Sequence, residues 1–476
     1  MKKIIQILLL LPFTVYSQIE HNYTPICSDL LLQTKLINEF TLKNKQIQTD
    51  LTSKFKKDLK TIYENRNQEI IDRLKNDEFI FGHLINSNLQ TLLDKIYQSN
   101  PSIPNHQIQL LLSKSSIPNA YCLGEGTIVI NLGLLQFLEN ESQLAFVICH
   151  ELAHFQLNHV NISIQNQLEV FASEEVKSTL KSISKNDYLK ISRMEEFVRN
   201  VSYSKMKNSR KDEIQADSLG MVYLQRTSFQ DSEAKKTLEI LDIIDNDDFD
   251  FDFQKIFNTP SFQFQEKWLK SSQISNFGSF TAKPLSDAVI DSLKTHPDCA
   301  LRIEKISNNF LVTKKKKSEI ISTTDFMKMR ESAMFEIVES DFYRENYSKT
   351  LYRLIKLLHK YPNNSYLNAM LVRCIYVIHS AKKQHLLYKY IDNEKYIENR
   401  NYQSVLRVIE NLTLKDLSRL AYYPLKEKPS LNHDDEIIIF ASYLASDLVE
   451  NSVEKENWKK IYQSKYPKGK YESYFF

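Results

Sequence analysis

Apolar residues change their spacing several times along the chain, and each change predicts an element. From about residue 28 to 95, Leu30, Leu31, Leu36 and Phe40 recur among Lys, Asn and Gln, the pattern of helices with one buried stripe. HQIQLLLSKSS, from His106, alternates enough for a strand. NAYCLGEGTIVIN, from Asn119 to Asn131, reads as two strands about a Gly124-Glu125-Gly126 turn. LGLLQFL predicts a helix behind Asn131 as its N-cap. NESQLAFVICHELAHFQLNH predicts a strong helix, capped by Asn140 with Gln143 in the reciprocal position. Residues 161–209 are polar and helical, and KDEIQADSLGMVYLQ gives a further helix. After VTKKKKSE, a basic hinge from Val312, the spacing stays helical to the end.

The chain has 476 residues, too many for one ordinary core. The pattern predicts an α+β, mainly helical protein. Its parts are a leader (1–17), an N-terminal helical region (18–100), a domain with a small β-sheet (101–311), a linker (312–330) and a helical C-terminal domain (331–476). In the last, ENYSKTLYRLIKLLHKYPNNSYL puts Leu351, Leu354, Ile355 and Leu358 on one face, with Pro362 after it, like the second helix of a tetratricopeptide repeat. Charged residues make up 25% and the net charge is +3, which gives no electrostatic case for nucleic acid. MKKIIQILLLLPFTVYSQ has the basic end, apolar run and small residue of an export signal, with an uncleaved anchor as the alternative. The five cysteines form no CxxC pair, so a cysteine metal site is not expected. DIIDNDDFDFDF, from Asp242, lacks the glycine and glutamate of an EF-hand and reads as a solvated loop. Gly is scarce, 7 in all. Three of these, Gly124, Gly126 and Gly133, share one stretch, marking backbone that needs unusual dihedrals or close approach.

CHELAHFQLNH, residues 149–159, carries the chemistry. His150 and His154 are four apart, so on a helix both imidazoles project toward a shared point. Glu151 lies about 100° round the helix, where it can reach a metal-bound water without ligating. This is the HExxH pattern of zinc hydrolases. The residues before it, Leu144 to Ile148, are apolar, and two His and a Glu among them would be costly without a shared partner. His159 lies five past His154 and reads as pointing away from the site face. Metzincins place a third His six past the second, after a Gly, where this chain has Val160 and Leu157. His159 therefore reads as a helix-end residue. The third ligand must come from another helix, as Glu does in gluzincins. RKDEIQADSLG offers Glu213, with Asp217 one turn on to orient a ligating histidine. One zinc ion per chain is the expectation.

The run from Asn119 to His159, then DEIQAD, then THPDCALRI, resemble peptidase family 48 of the metallo class, over roughly residues 79–311. That family includes the CAAX prenyl endopeptidases, HtpX and the BepA-like periplasmic metalloproteases. An export signal, a protease without a later membrane span and a repeat-bearing C-terminal domain look most like the BepA-like members. The resemblance implies a gluzincin-type zinc metalloprotease domain followed by tetratricopeptide-like helices. It implies hydrolysis of unfolded or misassembled exported proteins in the bacterial periplasm, a partner held by the repeats, and a place peripheral to a membrane-protein complex. Glu151 would be the general base. Asn119, Ala120, Tyr121 and Cys122 resemble the family's edge strand and would pair with an extended substrate. His296 falls where the family carries His-Pro followed by Arg. It would either donate to the oxyanion or, the favoured role, cap the zinc as a fourth ligand. Arg302 would anchor its segment through Asp217 or Glu213. The alternatives are an exported repeat-type adaptor with a structural zinc site, which has no use for Glu151, and a zinc aminopeptidase or esterase.

Overall fold

A computed structural model describes residues 23–26, 29–50, 53–104, 108–185, 209–244, 252–271, 299–311, 313 and 319–475. The leader, Cys27, most of the basic hinge and His296 lie outside the described residues. The chain forms two compact units, Pro25–Phe249 with Gln273–Asn346, and Met1–Thr24 with Asp250–Ser272 and Tyr347–Phe476. The division thus falls after Asn346 rather than at the expected 330. The segment 250–272, expected in the first domain, belongs to the second unit.

The first unit is built on a four-stranded sheet. Its strands are β1 (Phe79–Ile80), β2 (Gln109–Ser113), β3 (Ala120–Cys122) and β4 (Thr127–Asn131), in the order β1-β2-β4-β3. β2 and β4 run parallel, while β1 and β3 pair antiparallel to their neighbours. β1 interrupts a stretch expected to be helical throughout. Its two residues are buried on opposite faces, and two apolar residues are too few to show a period of two.

Every residue of β4 is buried, because both faces of the sheet are covered. Leu111 and Val129 pack with Phe40 of α1 (Leu30–Asp50) and Ile70, Ile71 and Leu74 of α2 (Lys56–Lys75). Leu112, Ile128 and Ile130 pack with Leu89, Leu92 and Leu93 of α3 (Leu84–Ser99) and with Leu144 and Ile148. Each such side chain contributes roughly 1.5–3 kcal/mol when fully buried. The hairpin turn between β3 and β4 has Gly124 and Gly126 at φ 85° and 93°, a left-handed backbone that favours glycine. β4 leads into α4 (Leu132–Leu135). Asn131 precedes that helix but does not cap it; its amide donates to the Ile117 carbonyl at 3.1 Å.

α5 (Glu141–Gln156) follows. Asn140 caps it, accepting from the N–H groups of Ser142 and Gln143. Gln143 returns a bond to the Glu139 N–H at 2.7 Å, one residue before the expected position. Glu141 to Ala153 are all buried, so this helix is enclosed on every side, as its nearly continuous apolar run requires. α6 (His159–Ala172) and α7 (Glu174–Lys185) come next. α8 (209–226) and α9 (Glu233–Ile243) pack into the same unit, with α10 (Cys299–Asn309) and α11 (Thr323–Tyr343). Among the described residues no helix is long and apolar enough to cross a membrane.

The second unit is helical: α12 (Tyr347–Lys360), α13 (Ser365–Lys383), α14 (Arg400–Asn411), α15 (Leu414–Lys426), α16 (Glu436–Leu448) and α17 (Ser452–Lys465). The expected apolar face of α12 is buried, including Leu351, Leu354, Ile355 and Leu358. α13 packs on α12, α15 and α16, and α16 on α17. Side chains of Asn364, Asn399, Thr413 and Asn451 cap four of these helices.

Candidate metal centre

α5 carries His150 and His154 one turn apart, and their Nε2 atoms come within 3.0 Å. α8 brings Glu213 to them. One carboxylate oxygen lies 3.5 Å from His150 Nε2 and the other 3.4 Å from His154 Nε2. A tetrahedral zinc site with bonds of about 2.0–2.1 Å separates its ligands by about 3.3–3.4 Å. The three donors, two neutral-capable imidazoles and a carboxylate, therefore already stand near the separations such an ion needs.

The approach of α8 to α5 depends on Gly220. A Cβ there would lie 3.1 Å from both the Cα and the N of His150, closer than ordinary packing allows. Asp217, one turn after Glu213, lies 2.9 Å from His150 Nδ1. Arg302 enters from α10. It donates to Asp217 through Nε at 2.6 Å and Nη2 at 2.8 Å. Its Nη1 lies 3.1 Å from Glu213. One buried guanidinium thus reaches both carboxylates considered for it.

These contacts set the charges. Burial alone would raise the pKa of Glu213 and Asp217, but Arg302 and the histidines outweigh it and hold both low. Burial would lower the pKa of His150, but Asp217 and Glu213 outweigh it and raise the value to about 10. Glu151 has no such compensation. Burial pushes its pKa up, only partly opposed by His150 and His154, so its carboxylate is a better proton acceptor than an exposed one.

His150, Glu151, His154, Glu213 and Arg302 line one cleft of about 280 Å³, with Asn119, Ala120, Tyr121 and Cys122 on its rim. β3 is the last strand of the sheet, and all three of its residues line this cleft. Tyr121 turns its ring to the α1–α2 side, where Arg73 donates to its hydroxyl at 2.6 Å. The Cys122 thiol is pushed up to about 12 by burial and by the nearby charge of Glu151, which removes it as a nucleophile. Leu134, Phe146, Val147, Val160 and Leu241 supply apolar lining.

His159 stands at a helix end, as expected, but it does not point away from the site. α5 stops at Gln156, and Asn158 takes a left-handed conformation at φ 56°. That turn swings His159 back, so its Nδ1 lies 3.0 Å from His154 Nδ1. Asn is among the few residues that enter this region readily, so Asn158 was the available clue. Thr237 and Leu241 of α9 also reach the cleft from a helix that no motif singled out.

Residues 84–309 match the profile of Peptidase family M48, a little under half of the chain. The match runs from the start of α3 to the end of α10 and contains His150, His154 and Glu213 together with Glu151, Asp217 and Arg302. It indicates a metallopeptidase hydrolase, and peptidases of this family are metal-dependent. No curated protein matches the chain.

Proposed function

We propose that the region matching Peptidase family M48 is a zinc-dependent endopeptidase that cleaves unfolded or misassembled exported proteins. The observation that carries this reading is the triangle of His150, His154 and Glu213 at zinc-site separations, beside a buried Glu151 and the last strand of the sheet. Zinc held by those three residues would supply a Lewis acid and acidify a bound water. The rest is done by the chain. Glu151 accepts the proton of the attacking water and passes it to the leaving amine. β3, as the last strand, would pair its outer edge with an extended substrate, and the apolar lining would take the substrate's side chains. Recognition through backbone suits chains that have lost, or not yet reached, their fold. Asp217 and Arg302 hold the histidine and carboxylate in place.

The apolar leader supports export, with the bacterial periplasm as the site of action. The helical second unit would act as a tetratricopeptide-like platform for a partner, as in BepA-like proteases. His296 would serve there as the zinc-capping or oxyanion-binding residue.

The test is incubation of zinc-loaded protein with an unfolded protein, with and without a chelator. Elemental analysis should find about one zinc per chain. E151Q should keep zinc and fold but lose at least ~10²-fold in turnover. Cleavage by E151Q at the wild-type rate, or cleavage that survives removal of all metal, would overturn the proposal.

A further inference from the structure

We infer that His159 is a positioning residue: it accepts a proton bond from His154 Nδ1 and so leaves His154 Nε2 free to bind the metal. The inference rests on the metallopeptidase reading. His154 has two ring nitrogens with different neighbours. Nε2 faces His150 Nε2 at 3.0 Å and Glu213 at 3.4 Å. Nδ1 faces His159 Nδ1 at 3.0 Å. Two neutral rings meeting nitrogen to nitrogen share one proton. If His159 supplies it, His154 must carry its own proton on Nε2 and cannot ligate. If His154 supplies it, Nε2 keeps its lone pair.

The far side of His159 decides between these. His159 Nε2 lies 3.3 Å from Gln215 Oε1 and 3.9 Å from Asp212 Oδ1. Both neighbours are acceptors, so the proton of His159 belongs on Nε2 and its Nδ1 is bare. The ring is buried and stands edge-on to His154, 77° between planes. It has little freedom to turn round.

Asp212 and Gln215 flank Glu213 on α8. That helix therefore supplies one ligand and orients both of the others. Asp217 backs His150 directly, and Gln215 with Asp212 backs His154 through His159. A carboxylate behind one histidine and an imidazole behind the other direct both lone pairs while adding only one buried negative charge.

Three full-length proteins test this: wild type, H159F and H159N. Phenylalanine keeps a planar ring without an acceptor. Asparagine places an amide oxygen near the position of Nδ1. Zinc affinity is read by competition with a chromophoric chelator. H159F should bind zinc roughly 10–100-fold more weakly, and H159N should stay close to wild type. An H159F with wild-type affinity would overturn the inference, and so would equal losses in both variants, which would mean packing alone. Should H159F fail to fold, H159N and the imidazole nitrogen NMR of metal-free wild type still decide. The spectrum should show His154 protonated on Nδ1; protonation on Nε2 overturns the inference. A wild type that takes up no zinc would defeat the metallopeptidase reading, and the NMR spectrum would still judge His159 separately.

Discussion

Arg302 fixes the charge of the site. Its guanidinium and Asp217 are each 2% exposed, and Glu213 completes the group. Removing one member of a buried charge cluster typically costs ~3–5 kcal/mol, because the remaining charge is left unpaired. A zinc ion beside Glu213 would restore part of the missing positive charge. R302M should therefore lose about that much stability as metal-free protein and clearly less when zinc-loaded. Denaturant titrations with and without zinc check this; equal losses would assign Arg302 to packing alone. His150 adds a pH dependence. Its pKa is raised to about 10, so below that pH the metal-free site holds a proton that a metal must expel. Zinc affinity should thus rise as pH rises, about tenfold per unit through the neutral range, and level off only as pH approaches the raised pKa. Calorimetry in buffers of different ionisation heat should find about one proton released per zinc. No release would show that His150 is already neutral.

Gly220 is where two elements set the geometry of the site. Ala is favoured over Gly in a helix interior by about 1 kcal/mol. Overpacking costs about 1–3 kcal/mol, and the atoms that a Cβ would meet belong to the backbone of His150, which cannot swing aside. Strain should win. G220A should melt lower than wild type and bind zinc more weakly, because α8 carries Glu213 and Asp217 away from α5 together. A stabilised G220A with unchanged zinc affinity would show that the two helices have slack. Elements with a regular period were legible from sequence: α5, α8, the β3–β4 hairpin and the buried face of α12. The donors on them were legible for the same reason, since the i, i+4 spacing of His150 and His154 fixes their direction. What stayed hidden depended on single backbone angles or on contacts distant in sequence. Asn158 redirects His159 by one left-handed residue. Asn131 found the Ile117 carbonyl instead of its own helix. β1 was too short to show a period.

The whole chain adds a constraint that neither element pattern nor motif revealed. The segment 252–271 lies in sequence between α9 and α10, within the family-matched stretch, yet it belongs to the second unit. Phe253, Phe257, Phe262, Phe264 and Trp268 are all buried there. Phe253 stacks on Phe264 at 5.1 Å, and Phe262 on Trp268 at 5.9 Å. Asn411 of α14 donates to the carbonyls of Trp268 and Lys270. Arg419 of α15 donates to that of Ser261, whose N–H donates to Glu427. Deleting the chain after Asn346 would remove every one of these helical partners. Each aromatic buries roughly 150–250 Å², so five would expose well over the few hundred Å² that a soluble monomer tolerates in one patch. Such a truncation should aggregate or bind a hydrophobic dye strongly. Replacing 252–271 by a short Gly-Ser linker in the same truncation should restore a monodisperse protein that still takes up zinc, because His150, His154 and Glu213 all lie in the other unit. Cutting earlier, after Lys317, should be worse. It also removes α11 and the backbone N–H of Ile321, which donates to buried Glu141 at the start of α5 at 2.6 Å. Light scattering and zinc binding on the three truncations would decide. A monodisperse, dye-silent truncation after Asn346 that retains 252–271 would mean that those aromatics find cover without the helical unit.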